Sequence, residues 1–419
     1  MKTCPIAAVV LLQTTLSLAV FAPASARADA LDNWTRGQVS TNPMGYMGIM
    51  LRGSAFGNGR YVTVGTYTES DTGVIQTSED GVNWTMRSPQ DDSILELYDV
   101  AFGNGTFAAV GWDYGAGRNL YHSTNGINWT SHTNANVSNF YGVAYGGGLF
   151  VAVGDGVLLQ SYPYVRTNRN IYTSPDGITW TGRNSGAPAG DIHSIQAVAY
   201  GTGRFVAVDD AGYTYLSTTG TTWTRNVPGI NPPIALSGYV NYCNGLFISL
   251  GTSGTNFVSS DGLLWSPMVK DVTNDFSRVA YAQGFYAALS GTNLFTSTNG
   301  TNWARRNLQP PPNAIWGDLA FGNSNLVVVG WTYPPMPMVP IAFVSDPFAG
   351  LAINPGFPPR LTVSGLQGRA YRIECLDVLR PLPNNWQPLA TFSLTNSPLI
   401  WPDTTATNSQ RFYRAALLP

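Results

Sequence analysis

Val100-Ala-Phe-Gly-Asn-Gly-Thr-Phe-Ala-Ala-Val110, followed by Ser123-Thr-Asn-Gly-Ile-Asn-Trp129, is one unit of a pattern that fills most of this 419-residue chain. Its first half reads as an apolar strand, a Gly turn and a second strand. The same half recurs as Val143-Ala-Tyr-Gly-Gly-Gly-Leu-Phe-Val-Ala-Val153 and Val198-Ala-Tyr-Gly-Thr-Gly-Arg-Phe-Val-Ala-Val208. Its second half is a hairpin ending in Trp, repeated from Ser78 to Trp84, Ser174 to Trp180, Ser217 to Trp223, Ser260 to Trp265 and Ser297 to Trp303, the fifth one residue short unless counted from Ser259. The Asp-Gly and Asn-Gly pairs in these hairpins signal a tight turn, because both central positions of a type I′ turn need positive φ.

Each unit supplies four short strands, and Trp34, Trp84, Trp129, Trp180, Trp223, Trp265 and Trp303 follow one another at 38 to 51 residues, the period of a propeller blade. Helical periodicity is absent. Strands such as Phe-Val-Ala-Val are apolar at every position, which suits a blade buried on both faces between two others. The motif Trp is expected to pack between blades. Six units carry both halves; a seventh runs from Asp318 through Val327 to Phe343 and lacks its Trp strand, while Leu31-Asp-Asn-Trp34-Thr35 is half a motif at the other end. The reading is an all-β, seven-bladed β-propeller over 31–349, closed by an N-terminal strand that removes two open edges. The pattern stops at Pro355, and 355–419 reads as a small separate all-β, β-sandwich-like domain.

Composition narrows the function classes. Only 22 Lys and Arg stand against 24 Asp and Glu, for a formal charge of −2 and no basic run, so nucleic acid is not the expected partner. Lys2, an apolar stretch from Pro5 to Ala22 and the small residues Ala24-Ser25-Ala26 read as a signal peptide over 1–26. A secreted or cell-surface chain, or a periplasmic one, is expected, with no later membrane span. Cys243 and Cys375 then remain, each in an apolar strand-like run without metal or redox spacing, and are expected to be buried thiols.

At Ser78, Asp80, Gly81 and Trp84 and their counterparts, the repeat resembles the Asp-box (BNR) repeat of sialidase-like propellers, with a turn one residue shorter. The resemblance implies that the box is structural and lies away from any active site, so residues 80, 125, 176 and 299 are turn formers. The arginine triad, Tyr-Glu pair and Asp of a sialidase cannot be placed, although Arg52 and Arg278 precede inner strands. The segment from Leu361 to Arg414 looks like a terminal β-sandwich module of exported bacterial repeat proteins, which implies surface display or sorting.

Propeller connectivity puts the short turns on one face and the variable second-to-third connections on the other, where function can reside. Those connections are long in units seven, one, two and three, which are contiguous in a closed ring. They bear Trp331, Tyr333, Tyr67, Trp112, Tyr114, Tyr162 and Tyr164 among Glu69, Asp71, Asp113, Arg118 and Arg166. Aromatic faces beside charged groups are the chemistry of sugar or peptide recognition. The expectation is therefore a monomeric binding or scaffold propeller for an extracellular glycan or protein, using no cofactor. The alternative is a polysaccharide-acting hydrolase or lyase with acids drawn from Glu69, Asp71 and Asp113, which their separation would decide. His122, His132 and His193 are too scattered in sequence to argue a metal site or a triad.

Overall fold

A computed structural model describes residues 8–12, 20–21, 31, 34–40, 48–68, 70, 72–87, 96–112, 119–132, 139–155, 158–161, 164–166, 170–188, 191, 193–226, 236–251, 255–272, 275–282, 284–323, 325–332, 338–345, 350–354, 360–364, 370–376, 387–393, 395, 399–405 and 411–417. Seven four-stranded antiparallel sheets form the blades. Their inner strands are Ile49–Gly57, Glu96–Gly103, Phe140–Gly146, Ile195–Gly201, Leu236–Cys243, Arg278–Ala282 and Ala314–Gly322. The seventh sheet takes Trp34–Arg36 as its outer strand, against Pro340–Ser345, and Gly37 N donates to Ala342 O at 2.8 Å just beyond it. The half motif at the N-terminus thus closes the ring as its sequence predicts.

Second strands are buried along their length, as in Phe107, Ala108, Ala109 and Val110, because one face meets the blade before and the other the blade after. Each core cluster accordingly joins two blades. Trp129 of blade 2 packs with Val62, Val64 and Ile75 of blade 1, and Trp84 of blade 1 with Val327, Val329 and Val344 of blade 7. The motif Trp is an inter-blade plug.

A second packing device was not anticipated. Phe102, Tyr145, Tyr200 and Tyr242 each lie over the glycine that ends the preceding inner strand, namely Gly57, Gly103, Gly146 and Gly201, and Phe56 lies over Gly322. A Cβ at Gly103 would sit 1.9 Å from Tyr145 Cγ, so this glycine is required by ring packing and not by the turn that follows it. Blade 5 puts Cys243 at this position; the thiol is buried and free, and burial pushes its pKa up to about 12.

Type I′ geometry falls on different turns from those expected. Both central residues have positive φ in the inner turns Asn58-Gly59, Asn104-Gly105 and Asn244-Gly245, with Asn φ of 47 to 48°. In the Trp hairpins only the Gly does, Gly81 at 74° and Gly126 at 71°, so those hairpins are not type I′. Side chains hold them instead. Asp80 Oδ1 accepts from Ser78 Oγ, Val82 N and Asn83 N, each at 2.8 Å, and Trp84 Nε1 donates to Gly81 O at 2.7 Å. Burial would raise the Asp80 carboxyl, but these bonds together hold it below the usual range. Blade 5 is a full-length copy counted from Ser259, whose Oγ is 3.1 Å from Asp261 Oδ1.

Apart from the two-stranded hairpin of Leu158–Ser161 and Tyr164–Arg166, the remaining strands form two sheets around one core. One is Gly350–Asn354, Arg360–Ser364 and Leu399–Pro402; the other runs Val20–Phe21, Ala8–Leu12, Arg411–Leu417, Ala370–Leu376 and Gln387–Ser393. Leu361 and Val363 of the first pack with Tyr371, Ile373, Cys375 and Tyr413 of the second, and the two sheets draw not only on 355–419, as the sequence reads, but also on Gly350–Asn354 and on Ala8–Leu12 and Val20–Phe21, inside the stretch read as a signal peptide. Tyr413 OH donates to the fully buried Asp403 at 2.7 Å. Among the described residues no helix is long and apolar enough to cross a membrane.

Candidate ligand-binding cavity

The inner strands carry a repeated irregularity. Registers shift between Leu51 and Gly53, Leu97 and Asp99, Phe140 and Gly142, and Ile195 and Ala197, so Arg52, Tyr98, Tyr141 and Gln196 are each one extra residue opposite the second strand. A bulge of this kind bends the strand and re-aims a side chain. Facing it on the second strand stand Gly65, Gly111 and Gly154, where a Cβ would fall 1.8, 1.9 and 2.0 Å from the carbonyls of Met50, Glu96 and Asn139. Glycine there lets the bulged backbone approach, which explains the Gly that ends Phe-Ala-Ala-Val-Gly and Phe-Val-Ala-Val-Gly.

The bulges open a cavity of about 450 Å³ at the centre of the ring, lined by Arg52, Tyr98, Tyr141 and Gln196 together with Tyr239, Asn241, Arg278 and Asp318. Its lining runs along the inner strands, from Arg52, Tyr98 and Gln196 near their starts to Tyr145, Tyr200 and Tyr242 near their ends.

One position after the bulge, three blades place Gly53, Gly142 or Ala197, and the others place Asp99, Tyr239, Arg278 and Asp318. Three of these four span to the next blade. Asp99 Oδ2 accepts from Val143 N at 2.9 Å and Oδ1 from Val100 N at 2.8 Å. Asp318 Oδ2 accepts from Ser54 N at 2.7 Å and Ser54 Oγ at 2.9 Å, and Tyr239 OH accepts from Val279 N at 3.2 Å. Each satisfies an outward backbone N–H of a neighbouring inner strand, which as the edge strand of its sheet has no ladder partner on that side.

Asp99 retains some surface toward the cavity but is walled by protein on all sides. Desolvation pushes its carboxyl up to about 7, against the Val143 bond and with help from the Asp318 charge. Asp318 is raised too, chiefly by burial. Burial likewise raises Tyr98, with Glu96 adding to it, and Tyr239.

The two guanidinium groups are less committed. Arg52 lies 3.6 Å from Glu96 Oε2 and 5.2 Å over the Tyr98 ring, and its buried Nε has no hydrogen-bond partner. Arg278 donates to Ser277 O at 2.8 Å, stands 3.9 Å from Asp318 Oδ1 and lies 4.9 Å over Tyr239. Each side chain is about a third exposed, at 32% and 33%. Arginines stacked on tyrosines with donors unspent suit a ligand that brings acceptor oxygens.

Of the residues singled out on the long loops, Tyr67, Trp112 and Trp331 are described, and Tyr164 and Arg166 by backbone alone. Tyr67 OH points to Met86 Sδ at 4.0 Å and burial raises its pKa, so it packs down its own blade. Trp331 lies against Gly317, whose Cβ would meet its ring at 3.2 Å. Trp112 pairs across the sheet with Glu96, the carboxylate beside Arg52. Tyr164 and Arg166 belong to a strand that hairpins with Leu158–Ser161. Glu69, Asp71, Asp113, Tyr114, Arg118, Tyr162 and Tyr333 lie outside the described residues.

Asp209 is fully buried and caps its turn, accepting from Ala211 N, Tyr213 N and Tyr215 OH at 2.8 to 3.0 Å. Beside it His193 Nδ1 meets Asp210 Oδ1 at 2.9 Å, and Arg225 pairs with Asp191 at 2.9 Å while stacking 3.5 Å from Tyr213.

No family model and no curated protein matches the sequence. The solved structures that resemble it are propellers. YCF48 bound to D1 peptide aligns over 74% of this chain and 96% of its own, at 15% identity and a TM-score of 0.53. A catalytically inactive virginiamycin B lyase from Staphylococcus aureus, with quinupristin, aligns over 75% and 99% at 10% identity and 0.54. PorZ of Porphyromonas gingivalis, a surface component of the type-IX secretion system, aligns over 87% of this chain and 59% of its own at 12% and 0.50. Identities this low establish the seven-bladed fold and nothing finer.

Proposed function

We propose that this chain is an exported, Asp-box-type binding propeller that captures an oxygen-rich group of a glycan or a peptide in its central cavity. The observation that carries the reading is Arg52, which stacks over Tyr98 and stays about a third exposed, at 32%, in a tyrosine-lined cavity large enough for a ligand. Arg278 supplies a second guanidinium, and Gln196 and Asn241 supply amides that both donate and accept. Trp112, beside Glu96, extends the surface toward the long loops, where the other aromatic residues of the arc would hold the rest of the partner. Binding is favoured over hydrolysis because Asp99 and Asp318 already spend their oxygens on Val100, Val143 and Ser54. YCF48, of the same fold, is seen with a peptide, which is compatible with a peptide here.

The test is an array of glycans and acidic peptides probed with the mature chain and with Arg52→Ala and Arg278→Ala, beside a product assay on every ligand retained. Retention that falls at least tenfold in both variants, at unchanged melting temperature, supports the reading. Wild-type retention by both variants overturns it, and released product replaces binding with hydrolysis or elimination.

A further inference from the structure

Two of the three histidines, ten residues apart in sequence, meet on the outer hairpin of blade 2. His122 lies in Leu120–Ser123 and His132 in Thr130–His132, and the ladder pairs Leu120 with His132 and His122 with Thr130. The two histidines are therefore diagonal neighbours on one face of the hairpin. Their ring centroids are 4.6 Å apart, and His122 Nδ1 is 2.5 Å from His132 Nε2. Two nitrogens that close cannot both carry a proton, so one proton lies between two lone pairs. We propose that this pair is a site for a borderline divalent metal ion of the zinc type, which takes the place of the shared proton and one nitrogen from each imidazole.

Three features support the assignment. Neutral imidazole is the metal-binding form, and desolvation holds both rings below the ordinary histidine range, with the His122 charge adding to the effect on His132. Asp176, on the Trp hairpin of blade 3, is close enough for its charge to act on both rings, and a carboxylate there favours a cation. Both rings are half-buried, so water can fill the remaining positions.

Bonds of roughly 2.0–2.1 Å at a tetrahedral ion need nitrogens about 3.3 Å apart, so the rings must part by somewhat under 1 Å. Side chains on a solvent-facing hairpin can do that by small χ rotations. His193, held by Asp210, is not part of the site. Among the described residues no group of three or more His, Cys, Asp or Glu is arranged around a metal, so this would be a two-residue, water-completed site of moderate affinity.

The experiment is calorimetric titration of the full chain with Zn²⁺ alone, at pH 7.5 and again at pH 5.5. It is repeated for His122→Ala, His132→Ala and, as a control, His193→Ala, with melting curves to show that each variant folds. Loss of an outer contact alone weakens metal sites 10–100-fold, so loss of a ligand should cost at least about tenfold. The expected result is one equivalent bound by wild type and His193→Ala, at least tenfold weaker binding in each of the other two, and weakening at pH 5.5 as protons compete. Equal affinity in wild type and both ligand variants, or no uptake by wild type, overturns the proposal. A correctly folded His122→Gln that still binds like wild type overturns it as well.

Discussion

Replacing Asp99 with Asn should flatten the pH dependence of stability between about pH 4 and pH 7. The carboxyl sits near 7 in the folded chain against 3.8 for an ordinary Asp, so over that interval the folded state holds a proton the unfolded state has released. Stability then falls as pH rises, with a limiting slope near 1.4 kcal/mol per unit, because the unfolded state binds fewer protons. The full three-unit shift would amount to roughly 4 kcal/mol, but water reaching the carboxylate from the cavity screens part of it, leaving about 1–2 kcal/mol. Asn keeps one acceptor for Val143 or Val100 and loses the other, a roughly constant offset of about 1 kcal/mol, so slope and not level is the readout. Urea unfolding of both proteins at half-unit steps from pH 4.5 to 7.5, followed by Trp fluorescence, gives the difference directly. Asp209, also raised by burial, and the lowered His122 and His132 titrate in both proteins and cancel in it, whereas Asp318 is coupled to Asp99 through its charge and enters the same difference. Wild type should lose stability relative to the variant as pH rises. Parallel curves, or wild type gaining, would show that Asp99 is an ordinary ionised staple.

Gly103→Ala places a Cβ 1.9 Å from Tyr145 Cγ and should lower stability toward the upper end of the 1–3 kcal/mol typical of overpacking, seen as a drop of several degrees in melting temperature. Gly105→Ala, with open space around it and φ of 74°, should cost only its backbone strain, about 1 kcal/mol, by the same measurement. Thr202 holds φ of 47° where other blades use Asn, so Thr202→Asn should raise stability by about 0.5–1 kcal/mol in the same unfolding assay. Cys243, buried beneath blade 6 with its thiol pushed up to about 12, should resist a thiol reagent at pH 8 in the native chain and react at once in urea.

Blade number, the closing strand and the inter-blade Trp were legible because each rests on a repeated local signal. The N-terminal Trp34 copy betrayed the closure, and the four-strand period betrayed the ring. Turn chemistry was read less well, since Asp-Gly is compatible both with a type I′ turn and with a turn in which the Asp side chain caps the following amides. Only backbone φ separates Asn104-Gly105 from Asp80-Gly81. The Gly of Phe-Gly-Asn-Gly reads in the sequence as part of the turn, although the ring of the next blade fills the space its missing Cβ leaves.

The cavity escaped the sequence for a more general reason. A bulge adds one residue and breaks the period-two pattern, so Arg52, Tyr98, Tyr141 and Gln196 look like irregularities just before each recognisable strand. The partners then come from blades up to 264 residues apart, as Ser54 and Asp318 do, and no local window contains both. What the sequence does hold is the glycine opposite each bulge. Gly65, Gly111 and Gly154 follow the second-strand runs at one fixed offset, and a glycine repeated where a buried strand would rather place Val marks a close backbone approach. Blade 4 replaces that glycine with the buried Asp209, and blade 6 with Ser290, paired near Arg278 and Ser277 at the cavity wall. The positions that recur from blade to blade build the ring, and Arg52, Asp99, Tyr239, Arg278 and Asp318, at positions that vary between blades, furnish a place the blades share.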